Sequence, residues 1–376
     1  MLGDKLEFEG LTGVGHVQLA LEPHQQIYTF IGANGVGKTK MLEALFQVLF
    51  FTNSTVNKTL EPFRFAHFRF KRFQQNSPSL WILDRGSDPS PLWGNIKDTF
   101  SQKNHKLPVV FLGAQSRGSI SDSTAANNLS VGSLDGRRKI YFNALVADME
   151  SRFGSMNMST SIQEWFISVA RSSNRWQKNE DNREVEISTV MRLLHAIDNR
   201  IDAEFLEITG DDRVSIQIEG QKRELTQLSS GFTSILKLIQ AIVSGYSYFT
   251  NETNIQHVKG IVLIDEIESH LHLSWQANII PLLKSLFPNT TFYITTHSSV
   301  VLAQLKDGEA YNLYRDDDGV VKTRKIPAPN KAALADILKD VFSVDINQLK
   351  LQNSSIAEQQ TAKDDLLRLL NQQGKK

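Results

Sequence analysis

The stretch that decides the fold is IYTFIGANGVGKTKMLEALFQVLFF, which runs from Ile27 to Phe51. Its first five residues are mostly apolar or aromatic and predict a short strand, and a glycine-rich run follows directly. Apolar residues then recur at helical spacing between Met41 and Leu49. Strand, glycine-rich loop and helix come in the order that a phosphate-binding loop needs, and GANGVGKT matches the pattern G-x-x-x-x-G-K-[ST].

Each residue type in GANGVGKT has a chemical reason to be there. Glycines let successive backbone N–H groups turn toward phosphate oxygens. The Lys38 ammonium can reach the β- and γ-phosphates, and the Thr39 hydroxyl can bind Mg²⁺. The alternative is an ordinary glycine-rich turn ahead of a helix, but a chance match in one chain is expected on the order of one time in a hundred. The segment therefore predicts a nucleotide-phosphate site.

A second segment, KGIVLIDEIESHLHLSWQ from Lys259 to Gln276, supplies two carboxylates. Its apolar run Ile261–Ile264 predicts a strand that is buried on both faces and ends in Asp265-Glu266. We expect Asp265 to hold Mg²⁺ through its shell and Glu266 to orient or deprotonate the attacking water. Two acids after a strand are also typical of a solvated helix start, but the phosphate loop upstream favours the catalytic interpretation.

A third segment, NTTFYITTHSSVV from Asn289 to Val301, predicts another strand, which ends at His297. Ligands bind at the carboxyl ends of strands in open α/β sheets, so this imidazole could contact the γ-phosphate and the water. A lone histidine is more often structural, and its position after the carboxylate strand favours the functional role. His270 and His272 have no third ligand nearby and are interpreted as loop or interface residues, not as zinc ligands.

The order of these motifs resembles the ABC-type ATPase heads of the SMC, RecF and OLD group, and more closely the stand-alone ATPases of AAA-15 or AAA-21 type. The matching features are the Asn34-Gly35 pair inside the phosphate loop, the signature-like Leu228-Ser229-Ser230-Gly231 before the acidic strand, and the loop IESHLH after it. The resemblance covers roughly residues 1 to 50 and 205 to 315. It implies an α/β fold, namely a P-loop NTPase of ABC-ATPase type that has a mixed sheet with N-terminal antiparallel hairpins and an inserted α-helical lobe.

The resemblance also implies a role for each matching residue. Asp265 takes the Walker B metal role, Glu266 that of the catalytic base, and His297 that of the switch histidine. The implied ligands are ATP and Mg²⁺, and the residues expected at the nucleotide are Gly32, Asn34, Gly35, Gly37, Lys38 and Thr39 of the P-loop and Ser229, Ser230 and Gly231 of the signature. Phe232 departs from the family, which usually carries Gln or Glu at its position.

The metal-polarising glutamine of such ATPases has one candidate. LPVVFLGAQSRGS, from Leu107 to Ser119, predicts a strand followed by Gln115, and an ordinary polar loop is the alternative interpretation. The expected metal-site residues are therefore Thr39, Gln115 and Asp265. Arg117, two residues further on, is a candidate interface or phosphate contact.

The remaining regions predict the organisation of the chain. Residues 119–202 contain helical patterns without sustained heptads, so no long coiled coil is expected. AYNLYRDDDGVVKTRKI, which starts at Ala310, predicts a hairpin with a solvated acidic turn, and the tail predicts an amphipathic helix. The expected segments are 1–118 (N-terminal core with the P-loop), 119–204 (α-helical lobe), 205–315 (C-terminal core with signature, Walker B and switch histidine) and 316–376 (C-terminal hairpin and helices).

Composition sets outer limits. The chain has no cysteine, 41 basic against 41 acidic residues, and no apolar run of eighteen residues. These features predict a cytoplasmic protein that is not membrane-bound, and they argue against a dedicated nucleic-acid coat protein. A local patch stays open, because FRFAHFRFKRFQQ (Phe63–Gln75) interleaves aromatic and basic residues and could bind a phosphate backbone, although a solvated strand face is more common. From the length of sequence after His297, we expect no nuclease domain of the kind that OLD-type proteins append.

Three functions compete. The leading one is an ATP-driven switch that dimerises head to tail, or forms a higher oligomer, and acts with a separately encoded effector, often a nuclease. The resemblance to ATPases of bacterial anti-phage systems such as Septu and PARIS implies this role. A RecF-like DNA-binding repair ATPase is the alternative, and the ATPase subunit of a transporter is the third.

Overall fold

Two β-sheets and the helices around them form the part of the chain that the computed structural model describes, namely residues 4–60, 67–75, 80–82, 104–117, 132–173, 176–178, 180–342, 344–345, 348–349, 360–361, 363–365 and 367. The strands are β1 (Lys5–Leu11), β2 (Gly15–Ala20), β3 (Ile27–Gly32), β4 (Arg72–Gln75), β5 (Leu80–Ile82), β6 (Val109–Leu112), β7 (Ile201–Ile208), β8 (Val214–Ile218), β9 (Gln221–Glu224), β10 (Gly260–Ile264), β11 (Thr290–Thr295), β12 (Ala310–Arg315) and β13 (Val321–Lys325). The helices are α1 (Lys38–Phe51), α2 (Ser54–Thr59), α3 (Leu134–Ser151), α4 (Ile162–Arg171), α5 (Glu184–Ile197), α6 (Ser230–Ser247), α7 (Leu273–Gln276), α8 (Ile279–Leu286), α9 (Ser299–Leu302) and α10 (Leu334–Asp340).

The larger sheet has ten strands in the order β5-β4-β1-β2-β13-β12-β3-β11-β10-β6. From β12 to β6 all neighbours are parallel, and β13 also pairs parallel with β2. The strands β5, β4, β1 and β2 pair antiparallel with one another. This mixed sheet with antiparallel hairpins at its N-terminal side confirms the expected fold class.

The parallel half of the sheet is covered on both faces. All five residues of β10 and all four of β6 are buried, as expected of parallel strands that helices cover. On one face, Phe111 and Leu263 pack in the same core as Phe46 of α1. On the other face, Val110 and Val262 pack in a core with residues of α6, among them Ile235, Leu238 and Ile242. The carboxyl ends of β6 and β10 are therefore fixed between two packed layers.

The helices of residues 134–197 are divided between these two faces. Phe142 of α3 packs edge to face on Phe50 of α1, with ring centroids 5.8 Å apart. Phe166 of α4 and Leu194 of α5 belong instead to the core that contains α6. The separate antiparallel sheet β7-β8-β9 follows, and β7 crosses the expected segment boundary at residue 204. The four expected segments stay a prediction as a division of the chain.

The hairpin expected from Ala310 is present and lies in the middle of the larger sheet. β12 pairs antiparallel with β13, and Gly319 closes the turn by donating its N–H to the carbonyl oxygen of Asp316. β12 also pairs parallel with β3, and Thr29 faces Ala310 in that register. The hairpin is therefore built between the N-terminal strands and the strand that leads into the phosphate loop.

Two further predictions are met in part. Of the segment Phe63–Gln75, residues 63–66 lie outside the described part, and only Arg72–Gln75 form a strand. Most of the predicted C-terminal helix also lies outside the described residues. Of the residues that are described, no helix combines the length and apolar character that crossing a bilayer needs.

Candidate active site

The loop from Gly32 to Thr39 joins β3 to α1 and depends on glycine. Gly32 has φ 148° and Gly37 has φ 112°, a region that other residues rarely adopt. A Cβ atom at Gly32 would lie 2.5 Å from the carbonyl oxygen of Leu313, and one at Gly37 would lie 2.7 Å from Val14. The loop can therefore hold this shape only with glycine at both positions.

Lys38 is the first residue of α1, and its side chain turns back over the loop. The Nζ atom donates hydrogen bonds to the carbonyl oxygens of Gly32 at 2.8 Å and Ala33 at 3.2 Å. Burial lowers the pKa of Lys38, and the nearby carboxylates of Asp265, Glu266 and Glu268 oppose that shift. An ammonium held among loop carbonyls is placed where a phosphate bound by the loop would need a cation.

The metal-site residues Thr39 and Asp265 are in direct contact. Thr39 Oγ1 donates to Asp265 Oδ1 at 3.0 Å, and Thr295 Oγ1 donates to the same oxygen at 2.7 Å. Asp265 is 4% exposed, and burial raises the pKa of its carboxyl group. Hydroxyl and carboxylate oxygens are ligands that suit Mg²⁺, which usually takes only one or two carboxylates from a protein that also binds phosphate. These two side chains therefore fit the ion.

His270 and His272 lie in the loop that follows β10. Within the described residues, no three or more His, Cys, Asp or Glu side chains are grouped to hold a metal ion. The interpretation of His270 and His272 as loop or interface residues stays a prediction.

Glu266 has an uncommon backbone conformation that its neighbours hold in place. Its φ is 47°, which places a residue other than glycine in the left-handed region. Its N–H donates to Thr295 Oγ1 at 2.7 Å, and Arg117 Nη1 donates to its carbonyl oxygen at 2.6 Å. The Ser269 hydroxyl donates to its carboxylate at 3.1 Å. Such strain persists where surrounding contacts determine the conformation, and it is concentrated at functional sites.

Arg117 is fully buried and serves the backbone of this segment. Its guanidinium donates to the carbonyl oxygens of Leu112, Asp265 and Glu266. Burial lowers its pKa to about 10. The expectation that Arg117 contacts an interface or a phosphate is wrong, because the side chain lies inside and joins the ends of β6 and β10.

His297 follows β11, and its side chain is exposed. Its backbone N–H donates to Glu268 Oε1 at 2.6 Å, and the Thr296 hydroxyl donates to Glu268 Oε2 at 2.6 Å. Glu268 was missed in the sequence because an acid four residues after a strand end is typical of a solvated helix start. A third acid, spaced three residues from Asp265, was the only signal available.

Gln115 lies apart from the metal-site residues in the contacts that the structure describes. Its N–H donates to the carbonyl oxygen of Gly154 at 2.9 Å, and its side chain lies against that glycine. Within the described residues, its hydrogen bonding does not reach Thr39 or Asp265. The metal-polarising role of Gln115 therefore stays a prediction.

The signature residues begin α6 and are close to the loop after Glu266. Ser229 caps the helix by accepting a hydrogen bond from the N–H of Phe232 at 3.3 Å, and both Ser229 and Ser230 are exposed. Gly231 is buried, and a Cβ atom there would lie 2.9 Å from His272 Cδ2 and 3.2 Å from Trp275 Cδ1. Across the described residues, no hydrogen bond joins Ser229, Ser230 or Gly231 to the loop Gly32–Thr39.

Both arginines that the structure describes in the segment Phe63–Gln75 are engaged with carboxylates. Arg69 Nε lies 3.0 Å from the carboxylate of Glu43, and Arg72 Nη1 lies 2.9 Å from that of Glu9. Neutralised arginines attract a phosphate backbone less than free ones do. This part of the chain therefore offers little support for binding nucleic acid.

Comparison with known proteins gives one family match. Residues 27–303 match the family model AAA_21, which is described as "AAA domain, putative AbiEii toxin, Type IV TA system". The match contains the P-loop, the signature, the acidic strand and His297.

Several individual proteins are similar to the chain. It is 25% identical to the Septu protein PtuA of Bacillus thuringiensis over 381 residues, which cover 96% of this chain and 89% of that protein. It is 26% identical to the Septu protein PtuA of Bacillus mycoides, over 83% of this chain and 40% of that protein. It is 38% identical to the retron Ec83 probable ATPase of Escherichia coli, over 31% of this chain and 21% of that protein.

Among solved structures, the chain is similar to two SMC heads. The SMC head bound to the C-winged helix domain of ScpA gives a TM-score of 0.44 at 14% identity, over 88% of this chain and 100% of that one. The SMC head domain from Thermotoga maritima gives a TM-score of 0.40 at 15% identity, over 87% of this chain and 100% of that one.

Proposed function

This chain belongs to the AAA_21 family, and on that premise we propose that it is a Mg²⁺-dependent ATPase whose two copies share their ATP sites. The observation that carries the proposal is the hydrogen bond between Thr39 and Asp265, in which Thr39 Oγ1 lies 3.0 Å from Asp265 Oδ1. Lys38 precedes Thr39 in the chain, and Glu266 follows Asp265. A phosphate loop, a metal-binding pair and an adjacent carboxylate are the parts that phosphoryl transfer to water requires.

The residues divide the chemistry among them. Lys38 and the N–H groups of the Gly32–Thr39 loop bind the phosphates, and Thr39 and Asp265 hold Mg²⁺. When bound, the ion neutralises phosphate charge and keeps the oxygens in place. Glu266, with its backbone fixed and its carboxylate held by Ser269, orients the attacking water and accepts its proton. His297 contacts the γ-phosphate from the end of β11.

The second copy contributes the signature. Ser229 and Ser230 are exposed at the start of the eighteen-residue helix α6, where free N–H groups and the helix dipole favour an anion. We propose that this anion is the ATP on the other chain. Two chains arranged head to tail then form two sites, each with the P-loop of one chain and the signature of the other.

The biological role follows from the named relatives. Similarity to the Septu PtuA of Bacillus thuringiensis over most of both chains, and to a retron probable ATPase over 31% of this chain, supports an ATPase that regulates a separately encoded effector in anti-phage defence. A nuclease is the effector class we expect. A RecF-like role is less supported, because Arg69 and Arg72 are paired with carboxylates.

The Glu266→Gln variant tests the catalytic assignment. We expect ATP binding to be retained and hydrolysis to fall about 100-fold, because the base is lost while the phosphate contacts remain. An ATP-dependent dimer should then persist, which light scattering after size-exclusion chromatography would show. Glu219→Gln, at an exposed turn, is the matched control. A Glu266→Gln chain that stays monomeric at saturating ATP and forms ADP at the normal rate would refute the assignment.

A separate experiment tests the partner. The chain is expressed with the product of the neighbouring gene, and co-purification is measured with and without ATP. Retention of an effector only with ATP would support a defence switch. Stimulation of ATP hydrolysis by DNA alone would favour the repair role instead.

A further inference from the structure

We propose that Glu268 is a positioning residue that sets the place of His297 at the ATP site. The proposal rests on the ATPase function proposed above and adds a residue to its machinery. Glu268 lies two residues beyond Glu266 and contacts the turn after β11 through its side chain.

Among the described contacts, four hydrogen bonds join residues 266–268 to residues 295–297. The N–H of Glu266 donates to Thr295 Oγ1, and the N–H of Ile267 donates to the carbonyl oxygen of Thr295 at 3.1 Å. Both remaining bonds go to the carboxylate of Glu268, one from the Thr296 hydroxyl and one from the N–H of His297, each at 2.6 Å. The segment that carries the base and the turn that carries the histidine therefore form one unit.

The Glu268 carboxylate is well suited to this contact. Thr296 is fully buried, and its hydroxyl also accepts the N–H of Ser298 at 3.0 Å. Its own proton is therefore directed to Glu268. A carboxylate accepts through both oxygens, and bonds to an ionised acceptor are shorter and stronger than neutral ones. Loss of Glu268 would leave two donors of the turn without this acceptor.

The position of the His297 ring depends on the contact between Glu268 and the backbone of the turn. The imidazole is exposed, and in the part of the chain described here it makes no hydrogen bond. Its position relative to the phosphates then follows from the backbone at residues 296 and 297. The N–H of Thr296 is held by the carbonyl oxygen of Phe30 at 3.1 Å, and the N–H of His297 is held by Glu268.

A competing role for Glu268 is purely electrostatic. Its charge favours the protonated form of Lys38, as do the charges of Asp265 and Glu266. If charge were its contribution, Glu268→Gln and Glu268→Ala would be equally impaired, and the KM for ATP would rise. If position is its contribution, Gln can still accept the N–H of His297 and should largely replace Glu.

Two measurements on the full-length protein test the proposal. The first is hydrogen exchange at the amide of His297, which we expect to be about tenfold faster in Glu268→Ala than in wild type and nearly unchanged in Glu268→Gln. The second is steady-state hydrolysis, in which Glu268→Ala should lower kcat about tenfold at constant KM, with Gln within about threefold of wild type. Asp316→Ala, which removes a carboxylate that accepts the N–H of Val320 in the hairpin turn, is the matched control.

A double-mutant cycle shows whether Glu268 acts through His297. If it does, the double variant Glu268→Ala/His297→Ala should be no more than about twofold slower than His297→Ala alone. Multiplicative losses would overturn the proposal, as would an unchanged exchange rate in Glu268→Ala. A wild-type chain without ATPase activity would refute the proposed function. The exchange measurement does not require hydrolysis, so it would still decide whether Glu268 holds the backbone at His297.

Discussion

Arg117 is a single residue on which the backbone geometry at Asp265 and Glu266 depends. It is buried, and it bonds three backbone carbonyls. Without Arg117, the carbonyl of Glu266 would still accept the N–H of Ser269, and that of Leu112 would still accept the N–H of Asp265. The carbonyl of Asp265, in contrast, would lose the donor that the structure describes for it. A buried polar group without a partner is destabilising.

We therefore expect Arg117→Met to lower the free energy of unfolding by about 2 kcal/mol and to slow ATP hydrolysis, because Glu266 would lose its left-handed backbone. Urea unfolding and steady-state kinetics measure the two effects. Arg171→Met is the matched control, since Arg171 is exposed and pairs with Asp212 at the surface, and it should change stability by less than about 0.5 kcal/mol. Equal losses in both variants would contradict the role of Arg117.

Residues whose chemistry is local could be predicted from the sequence, and those whose role depends on burial could not. Lys38, Thr39 and Asp265 were recognised because loop, strand and residue type occur together within short segments. Arg117 was interpreted as an exposed contact because a charged residue in a polar loop is usually solvated. Its burial follows from β6 and β10 lying side by side, which no local pattern shows.

At the scale of elements, α6 is buried along most of its length, and its contacts include two with neighbouring loops. Gly231 in its first turn packs against His272 and Trp275, and Lys237 two turns further on donates to the carbonyl oxygens of Ser116 and Met158. The helix that carries the signature is therefore joined both to the loop after Glu266 and to the loop after β6.

The contact at Gly231 predicts that alanine at the start of α6 changes stability differently from alanine at the start of α3. Gly231→Ala should destabilise the protein by about 1–2 kcal/mol, because the new Cβ would push against His272 and Trp275. Gly136→Ala in the first turn of α3 meets nothing closer than 3.4 Å and should be neutral or stabilising by up to about 1 kcal/mol. Thermal unfolding of both variants measures the difference, and a stable Gly231→Ala chain would show that the loop can move away at little cost.

Lys237 predicts a dependence of stability on pH. Burial lowers its pKa from its ordinary 10.5 to about 8, so between these values the unfolded chain binds the extra proton and the folded chain does not. Stability should therefore rise with pH across this window, relative to a Lys237→Met variant that lacks the titrating group. Urea unfolding of both at several pH values gives the difference. Lys139→Met controls for the loss of an exposed lysine, and a difference that falls as pH rises would contradict the assignment.

Strands and helices could be predicted where a short stretch of sequence contains the residues that start, end or pattern them. The acidic turn with glycine predicted the hairpin of β12 and β13. The position of that hairpin in the sheet was not predictable, because it depends on pairing with β2 and β3 from the other end of the chain. The same holds for the small sheet β7-β8-β9, whose last strand, β9, is wholly polar.

At the scale of the whole molecule, shared sites predict complementation between two inactive chains. Lys38→Ala removes the P-loop cation, and Ser230→Arg blocks the signature. In a mixed dimer one site carries both lesions and the other is intact, so an equal mixture should recover about a quarter of the wild-type rate. Each variant alone and a mixture of two double variants are the controls. Absence of any recovered hydrolysis, with dimers shown to exchange chains, would count against shared sites.

The central hairpin also governs when the phosphate loop takes shape during synthesis. β3 is synthesised early, whereas the two strands that pair with it, β11 and β12, are synthesised late. Thr29 of β3 therefore cannot pair with Ala310 until most of the chain has left the ribosome. Pairing across such a long stretch is slow, and until it forms β3 has apolar faces and no neighbours. We expect a nascent chain that stops before Ala310 to contain the whole Gly32–Thr39 sequence and yet to bind no nucleotide. An unfinished chain would then be unable to respond to ATP before its signature and its base have been made.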